Sequence, residues 1–202
     1  MGRPRAHGAT ERAALLDAAA GILGAEGATA VTVRRVAAQA GTTTRAVYSL
    51  FGDKDGLLTA LFRIVAETMR RHHEAVPVDA DPVREIGQLA LAYRAGALEQ
   101  PNLYEFYLAG MPKGSLTEDD LAIAWRSFDR VLDAIGRCVA AGRFRGRDPV
   151  AIGMQLWALV HGLASLELRG FLGPQKEALA RWHDAVLAAV EGYQQPPAAR
   201  AR

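Results

Sequence analysis

The residues best suited to a chemical task form a short polar run near the amino terminus, at positions 43–49. The run fits a helix, Thr44–Leu50, and Val47, together with Phe51 just after this helix, has the i, i+4 spacing of residues that face a core. The side chains left on the outer face are small, hydroxyl-bearing or singly charged: Thr44, Arg45, Ala46, Tyr48 and Ser49. An arginine can donate two hydrogen bonds to guanine, a threonine can bond a base or a phosphate, and an alanine methyl can contact thymine. This pattern indicates a surface that reads the major groove of double-stranded DNA.

Two short helices joined by a tight turn must present this surface. Thr32 is a good N-cap for the first helix, Gly41 is a good terminator, and Thr43 can cap the second. Helices of about seven residues are marginal in water alone, so they must pack inside a larger unit. An amphipathic helix from Thr10 to about Ala25 precedes them, and another from Lys54 to about Glu74 follows. This order, with a glycine in the turn, predicts a helix-turn-helix module.

The spacing of residues across these helices resembles a known family. The segments Thr32-Val-Arg-Arg-Val-Ala-Ala-Gln-Ala-Gly41 and Val47-Tyr48-Ser-Leu-Phe51-Gly-Asp-Lys54-Asp-Gly-Leu57-Leu58 resemble the DNA-binding domain of TetR-family transcriptional regulators. The resemblance extends over residues 10–62. It implies that Tyr48 and Lys54 contact phosphates and that Thr44, Arg45 and Ala46 lie on the reading face.

The residues predicted to bind DNA, from the pattern and the resemblance together, are Thr32, Arg34, Thr43, Thr44, Arg45, Ala46, Tyr48 and Lys54. Two positions depart from the family pattern. Thr42 stands where an apolar residue is common, and Arg45 stands where Gly or Pro often sits. The base preference of a relative therefore cannot be transferred to this chain.

The distribution of charge favours the same end of the chain. The whole chain carries a formal net charge of only +2. Residues 1–50 hold six arginines and three acids, whereas residues 51–202 hold 18 basic and 19 acidic residues. Arg34 and Arg35 are adjacent and cannot both face the same way, so one of them is expected to contact DNA. The start Gly2-Arg3-Pro4-Arg5 fits either a minor-groove hook or a disordered basic tail.

The rest of the sequence also has a helical pattern, and no segment alternates like a strand. Further helices are predicted at about Val83–Glu99, Asn102–Ala109, Glu118–Ala141, Pro149–Arg169 and Gln175–Tyr193. We therefore predict an all-α protein: an amino-terminal helix-turn-helix three-helix domain at 1–55, with a flexible arm at 1–9, then a helical bundle at 56–202. The resemblance implies that this bundle binds an effector and forms a dimer.

Bulky residues with polar tips are candidates for the effector site, because they suit an apolar ligand oriented by a few hydrogen bonds. The predicted ligand-binding residues are Tyr93, Tyr104, Tyr107, Trp125, Phe128 and Trp157. Packing in the core is the alternative for most of them taken singly. The stretch Trp157-Ala-Leu-Val-His161-Gly162 resembles a Trp…His-Gly signature in the carboxy-terminal domains of some TetR-type regulators. His161 is expected to be a hydrogen-bonded core histidine.

The last two helices carry more apolar surface than either can bury on a single side, which predicts a four-helix homodimer interface. The residues predicted to form it are Leu159, Gly162, Leu163, Leu166, Trp182, Val186, Leu187 and Val190. Gly162 would permit close approach of two helices, although a glycine packed inside one subunit is the alternative.

The sequence gives little support for an enzyme or a metal-binding protein, and we expect no catalytic residue, metal or cofactor. The sequence lacks the phosphate-loop, dinucleotide, nucleophile-elbow and zincin motifs. His72-His73-Glu74 is expected to be a solvated helix end, because adjacent helical side chains diverge. The single cysteine, Cys138, indicates a reducing compartment and is expected to be inert. The apolar stretch 151–168 is interrupted by polar residues, so we expect a cytoplasmic protein with no membrane span.

These observations predict a homodimeric regulator that binds double-stranded operator DNA and is released as a repressor by a small apolar or aromatic effector. One alternative is an activator with the same fold. The other is a helical small-molecule-binding or small-molecule-modifying protein that does not bind DNA.

Overall fold

The computed structural model describes residues 4–109, 116–144 and 148–194, and every regular element in these ranges is helical. The helices are α1 (Pro4–Glu26), α2 (Val33–Gln39), α3 (Thr44–Phe51), α4 (Lys54–Glu74), α5 (Pro82–Glu99), α6 (Pro101–Ala109), α7 (Glu118–Arg126), α8 (Asp129–Ala140), α9 (Pro149–Leu168) and α10 (Gln175–Gln194), with a 3-10 turn at Ala28–Ala30. The predicted all-α fold class is confirmed.

The chain divides into two compact units. The first contains Met1–Glu67 and Gln100–Ala124, and the second contains Thr68–Glu99 and Trp125–Arg202. The domain boundary predicted after residue 55 falls just inside the start of α4, whereas the first compact unit continues to Glu67 and also includes α6.

The first helix begins earlier than predicted. α1 begins at Pro4 rather than near Thr10, so residues 4–9 of the predicted flexible arm are helical. Proline suits the first turn of a helix, because its missing N–H would have no partner there, and Arg5 and Ala6 are good helix formers. Gly2 and Arg3 lie outside the described residues.

The segment predicted as one helix over Glu118–Ala141 is two helices. The Phe128 N–H donates to the Trp125 carbonyl at 2.8 Å, a tight turn that separates α7 from α8. The Ser127 carbonyl lies 2.5 Å from Nδ1 of His73. In a continuous helix the Ser127 carbonyl would accept a hydrogen bond from the backbone of the next turn. Here it bonds to His73 of α4 instead, a partner that is close only in the folded chain.

In the first unit, α1 presents the predicted apolar face to the core. Leu15, Ala19, Ile22 and Leu23 are all buried. α6 packs closely on α1 at Gly24, where an added Cβ would come within 2.2 Å of the Asn102 side chain. The helix-turn-helix is therefore held by a core that includes a helix distant in sequence.

Capping residues fix the ends of the short helices where the sequence predicts them. The Thr32 hydroxyl accepts from the Arg35 N–H at 3.3 Å, and the Thr43 hydroxyl accepts from the Ala46 N–H at 3.3 Å. Gly41 has φ +67 in the turn between α2 and α3, a conformation that glycine adopts without a steric cost.

In the second unit, α5 packs against α8, α9 and α10. A fully buried carboxylate ties α5 to α8: Glu85 accepts from Arg130 at 2.8 Å and from Arg137 at 2.5 Å. α8 and α9 approach closely at Gly153, where an added Cβ would lie 2.8 Å from Leu132. Glu167 of α9 pairs with Arg94 of α5 and accepts from Trp182 Nε1 of α10 at 2.8 Å.

Of the described helices, α9 alone is long and apolar enough to cross a membrane, with a mean hydropathy of 1.4 over its most apolar window. The core helix of a soluble protein meets the same criteria, so the finding is weak evidence for a span. One third of this window, 33%, is buried inside the chain. The rest of this window is half-buried or exposed in the single chain.

Candidate DNA-binding surface and effector cavity

The outer face of α3 has the arrangement that the sequence predicts. Val47 is fully buried, whereas Thr44 and Arg45 are exposed and Ala46 is half-buried. Tyr48 is 56% exposed, which is unusual for so large an apolar ring and is suited to contact with a partner. α3 therefore presents one cation, a hydroxyl and a methyl group to solvent, next to an aromatic ring.

The two adjacent arginines of α2 differ in their contacts. Arg35 donates to both carboxylate oxygens of Glu26, at 2.8 Å and 2.5 Å. Arg34 is exposed, and the structure records no ion pair for it with any described residue. This division supports Arg34 as the arginine available to DNA.

Lys54 has a structural contact as well as a predicted phosphate contact. Its Nζ donates to the Ala28 carbonyl at 3.2 Å and the residue is half-buried. The contact joins the start of α4 to the 3-10 turn that precedes α2. Lys54 is therefore held in place in the absence of DNA.

Thr42, which departs from the family pattern, also has a partner. Its hydroxyl donates to Oε1 of Glu11 on α1 at 2.5 Å. A polar residue in this position is therefore satisfied by a carboxylate in the same unit.

The second unit contains a small cavity of about 30 Å³, which holds roughly one or two water molecules. Its lining combines ring side chains with aliphatic ones: His73, Tyr93, Phe128, Trp157, Ile86, Leu89, Ala90, Val131, Leu156 and Val160. No described lining residue is an aspartate, glutamate, lysine or arginine. The interior is therefore apolar, with polar groups only on its histidine, tyrosine and tryptophan side chains.

The predicted pair Trp157 and His161 shares one face of α9, with ring centroids 4.5 Å apart. The Tyr93 hydroxyl lies 2.9 Å from Nδ1 of His161, so the expected hydrogen bond of this histidine is present. Burial lowers the pKa of His161 to about 4. The His161 ring is therefore neutral at ordinary pH.

The six residues predicted to bind ligand are not all brought together. Tyr93, Phe128 and Trp157 line the cavity. The Trp125 ring packs against those of Phe128 and Trp157, with centroid distances of 6.0 Å and 6.3 Å, but Trp125 is 49% exposed.

Tyr104 and Tyr107 belong to the other unit, where Tyr107 stacks on Phe62 with 5.0 Å between ring centroids. Neither residue lines the cavity that contains Tyr93, and their assignment to ligand binding stays a prediction. α6 faces the core of the first unit, and an aromatic-rich helix gives no indication from sequence alone of which core it joins.

Sequence reasoning missed His73, which is 3% exposed and lines the cavity instead of forming a solvated helix end. A signal was present. His73 continues the buried stripe of α4, four residues after Met69, which in turn follows Val65 and Phe62 at helical spacing. Burial lowers the pKa of His73, although the hydrogen bond between its ring and the Ser127 carbonyl opposes that shift.

The residues predicted for the dimer interface divide into two sets. Trp182, Val186, Val190 and Leu163 are between 0% and 9% exposed, so they form the core of one protomer and their assignment to the interface is corrected. They pack inward because α10 covers α9 and α5 on that side. Leu166 and Leu187 are 44% and 56% exposed, Leu159 is half-buried, and an added Cβ on Gly162 would have nothing within 4 Å. These four remain available to a partner.

The lone cysteine and the histidine cluster show no reactive arrangement. Cys138 is buried, and burial raises its pKa to about 11, which opposes thiolate formation. Among the described residues, no group of three histidine, cysteine, aspartate or glutamate side chains could hold a metal ion.

Three solved structures illustrate the similarity of the fold. A TetR family transcription regulator from Marinobacter aquaeolei VT8 is 19% identical, with a TM-score of 0.75 over 93% of this chain and 97% of that one. A putative tetR family transcription regulator from Shewanella sp. PV-4 is 17% identical, with a TM-score of 0.74 over 90% and 96%. The transcriptional regulator FadR from Bacillus subtilis, solved in complex with stearoyl-CoA, is 15% identical, with a TM-score of 0.76 over 89% and 98%. At these identities the similarity shows the fold alone.

Family models match both parts of the sequence, whereas no curated protein matches it significantly. Residues 15–61 match the model of bacterial regulatory proteins of the tetR family. Residues 86–190, more than half of the chain, match the tetracyclin repressor-like carboxy-terminal domain. With a helix-turn-helix that presents Arg45 to solvent and a helical bundle that encloses a cavity, the chain belongs to the TetR family and is a DNA-binding transcriptional regulator.

Proposed function

We propose that this protein is a cytoplasmic homodimeric repressor whose affinity for its operator falls when a small apolar or aromatic molecule enters the cavity of the second unit. The observation that carries the proposal is the pairing, in one chain, of an exposed reading face on α3 with an apolar cavity lined by Tyr93, Phe128 and Trp157. The solved FadR complex with stearoyl-CoA supports effector binding as a capacity of this fold.

Two reading helices are needed for tight binding. A single α3 offers few base contacts, whereas a two-fold dimer places two copies about 34–36 Å apart in successive major grooves. Linking them makes the second contact intramolecular, which raises avidity by roughly 10²–10⁴. The exposed apolar residues of α9 and α10, Leu166 and Leu187, support a dimer through these helices.

The small size of the cavity suggests how an effector acts. A cavity of about 30 Å³ cannot hold a ring-sized molecule unless its walls move. One wall is His73 near the end of α4, the helix that begins with Lys54 of the DNA-binding surface. An effector that opens this cavity must therefore move residues of its lining, such as His73. By linkage, the effector must bind the free dimer more tightly than the DNA-bound dimer by the factor with which it weakens DNA binding.

An activator with the same fold is the second candidate, because DNA binding alone does not fix the sign of regulation. A reporter gene under the control of the bound promoter separates the two: expression rises on deletion of the regulator for a repressor and falls for an activator. The family assignment removes the candidate that does not bind DNA.

The test begins with genomic fragments from the neighbourhood of the gene, selected for binding to the purified full-length protein. We expect one palindromic fragment to bind at least about 10³-fold more tightly than random duplex, with affinity that falls steeply as salt rises. Equal affinity for all fragments, or affinity independent of salt, would contradict the proposal.

A further inference from the structure

One buried polar atom of the cavity lacks a partner. Nδ1 of His73 lies 2.5 Å from the Ser127 carbonyl, and a carbonyl can only accept, so Nδ1 carries the proton. In a neutral imidazole the other nitrogen, Nε2, is then an acceptor. Nε2 is buried and has no hydrogen-bond partner among the described residues, in a side chain that lines the cavity.

Charge in the surroundings favours a neutral ligand. The described lining contains no formally charged side chain, and burial lowers the pKa of both His73 and His161. A buried carboxylate without a counter-charge is strongly disfavoured. The coulombic effects of His72 and then of Arg130 also lower the pKa of His73, but neither residue lines the cavity, and Arg130 donates to Glu85 at 2.8 Å.

Aromatic rings define the shape of the ligand. The large flat surfaces of the lining come from Tyr93, Phe128 and Trp157. The half-exposed ring of Trp125 packs against Phe128 and Trp157. Flat aromatic side chains favour a flat aromatic partner through offset or edge-to-face contacts.

From these observations we infer that the effector is a neutral aromatic molecule with a hydroxyl or N–H donor, and that this donor bonds to Nε2 of His73. The inference rests on the proposed effector site and names the chemistry that the site selects. His73 is thus a specificity-determining residue, which reads the donor, while the three rings hold the body of the ligand.

Three matched probes test this chemistry on the full-length protein in the absence of DNA: 2-naphthol, 2-methoxynaphthalene and 2-naphthoate. All three share the naphthalene ring system. The first carries a hydroxyl donor, the second has that hydroxyl blocked by a methyl group, and the third carries a negative charge. We expect calorimetric titration at neutral pH to give about 10-fold tighter binding of 2-naphthol than of either other probe, the effect of one hydrogen bond to an otherwise unpaired group.

Two variants locate the effect. His73→Phe keeps a ring but removes the acceptor, and it should reduce the preference for 2-naphthol over 2-methoxynaphthalene to about 1. Val131→Ala removes only apolar surface from the same cavity. It should change the affinity for both neutral probes by the same factor and leave their ratio unchanged.

A measurement on the unaltered protein covers the case in which His73→Phe does not fold. With ¹⁵N-labelled histidine, the Nε2 resonance of His73 should move upfield on addition of 2-naphthol and stay in place on addition of 2-methoxynaphthalene.

Several results would overturn the inference: equal affinity for the two neutral probes, a preference that survives in His73→Phe, or binding of none of the three. Tighter binding of 2-naphthoate would also overturn it and would indicate Arg130 as the ligand-reading group. Failure of the proposed function is separate, because it is measured as loss of specific operator binding, or as probe binding that leaves operator affinity unchanged.

Discussion

Arg45 is the only charged residue of α3, and it is exposed on the face that is predicted to read bases. A bidentate contact to guanine contributes about 1–3 kcal/mol of discrimination. We therefore expect Arg45→Ala to weaken binding to the operator by roughly 5- to 150-fold while changing binding to random duplex little. Fluorescence anisotropy titrations on both duplexes measure the two losses.

Lys54→Ala is the control for this prediction, because its predicted contact is to phosphate. It should weaken binding to both duplexes and reduce the salt slope by about 1. Thermal unfolding must accompany the measurement, since Lys54 also bonds to the Ala28 carbonyl. Equal losses on operator and random duplex for Arg45→Ala would show that Arg45 contacts phosphate.

Arg34 and Arg35 form a matched pair in which each alanine substitution removes one positive charge from α2. Arg34 has no recorded ion pair with a described residue, whereas Arg35 is bound to Glu26. We expect Arg34→Ala to weaken DNA binding several-fold on all sequences, and Arg35→Ala to change mainly thermal stability, by a small amount. Anisotropy and differential scanning calorimetry on both variants make the comparison, and a larger DNA-binding loss for Arg35→Ala would reverse the assignment.

At the scale of elements, the junction between α3 and α4 depends on Gly56. An added Cβ there would lie 1.9 Å from the Phe51 carbonyl oxygen, and backbone cannot move aside as a flexible side chain can. Gly56→Ala should therefore lower the free energy of unfolding by about 1–3 kcal/mol, in the range of other overpacked sites. Urea denaturation followed by circular dichroism measures the change.

Gly136 in α8 is the matched control, since an added Cβ there meets nothing within 4 Å. Gly136→Ala should raise the free energy of unfolding by roughly 0.5–1 kcal/mol through helix propensity alone. Destabilisation of the same size in both variants would show that helix geometry, and not the Phe51 contact, sets the cost.

The packing of α5 on α8 depends on Glu85, which has no exposed surface and accepts from Arg130, Arg137 and the Asp79 N–H. Burial alone would raise the pKa of Glu85, but these hydrogen bonds outweigh it and lower the pKa below its ordinary value of 4.5. Stability from this carboxylate is therefore complete above about pH 4.5 and is lost as the pH falls through the lowered pKa.

We expect Glu85→Gln to lower the free energy of unfolding at neutral pH by about 1–3 kcal/mol, because it removes the charge that pairs with the partly buried guanidinium groups of Arg130 and Arg137. The variant should also lose less stability than the wild type on acidification. Asp133→Asn is the control, since Asp133 contacts the same Arg137 at 3.2 Å but is exposed. Denaturation curves at several pH values test both effects, and parallel acid losses in wild type and Glu85→Gln would contradict the assignment.

For the molecule as a whole, the proposed function makes operator binding depend on the assembly of a dimer. Leu166 and Leu187 are exposed apolar residues of α9 and α10, so changing both to glutamate should leave the protomer folded while preventing the dimer from forming. We expect monomers by analytical ultracentrifugation and a loss of operator affinity of about 10²-fold or more. Leu163 is unsuitable for this test because it lies in the core of the protomer.

Val78→Glu supplies the control, since Val78 is 67% exposed outside the helices and its substitution places one glutamate at an exposed apolar position that is not on α9 or α10. It should remain a dimer with normal operator affinity. A wild-type protein that sediments as a monomer at micromolar concentration while binding its operator tightly would exclude this mechanism.

Local sequence patterns predict the all-α class and the helix-turn-helix, and they carry the resemblance to the family. These follow from local interactions: the spacing of Val47 and Phe51, and the caps Thr32 and Thr43, which act within one turn of helix. The family resemblance, and not a local pattern, points to Lys54 as a phosphate-binding residue. Its contact with the Ala28 carbonyl is likewise not indicated by any local pattern.

The side chains that share a cavity, and those that stay exposed, could be identified only from the packing of the helices. Periodicity shows that His73 and Trp182 lie on apolar faces, but not whether that face meets its own core, a ligand or another subunit. The cavity joins residues of α4, α5, α8 and α9, while Tyr104 packs elsewhere. The break at Ser127 likewise depends on a contact from His73, 54 residues away in sequence. Such contacts depend on how distant segments pack, and local residue spacing contains no record of that packing.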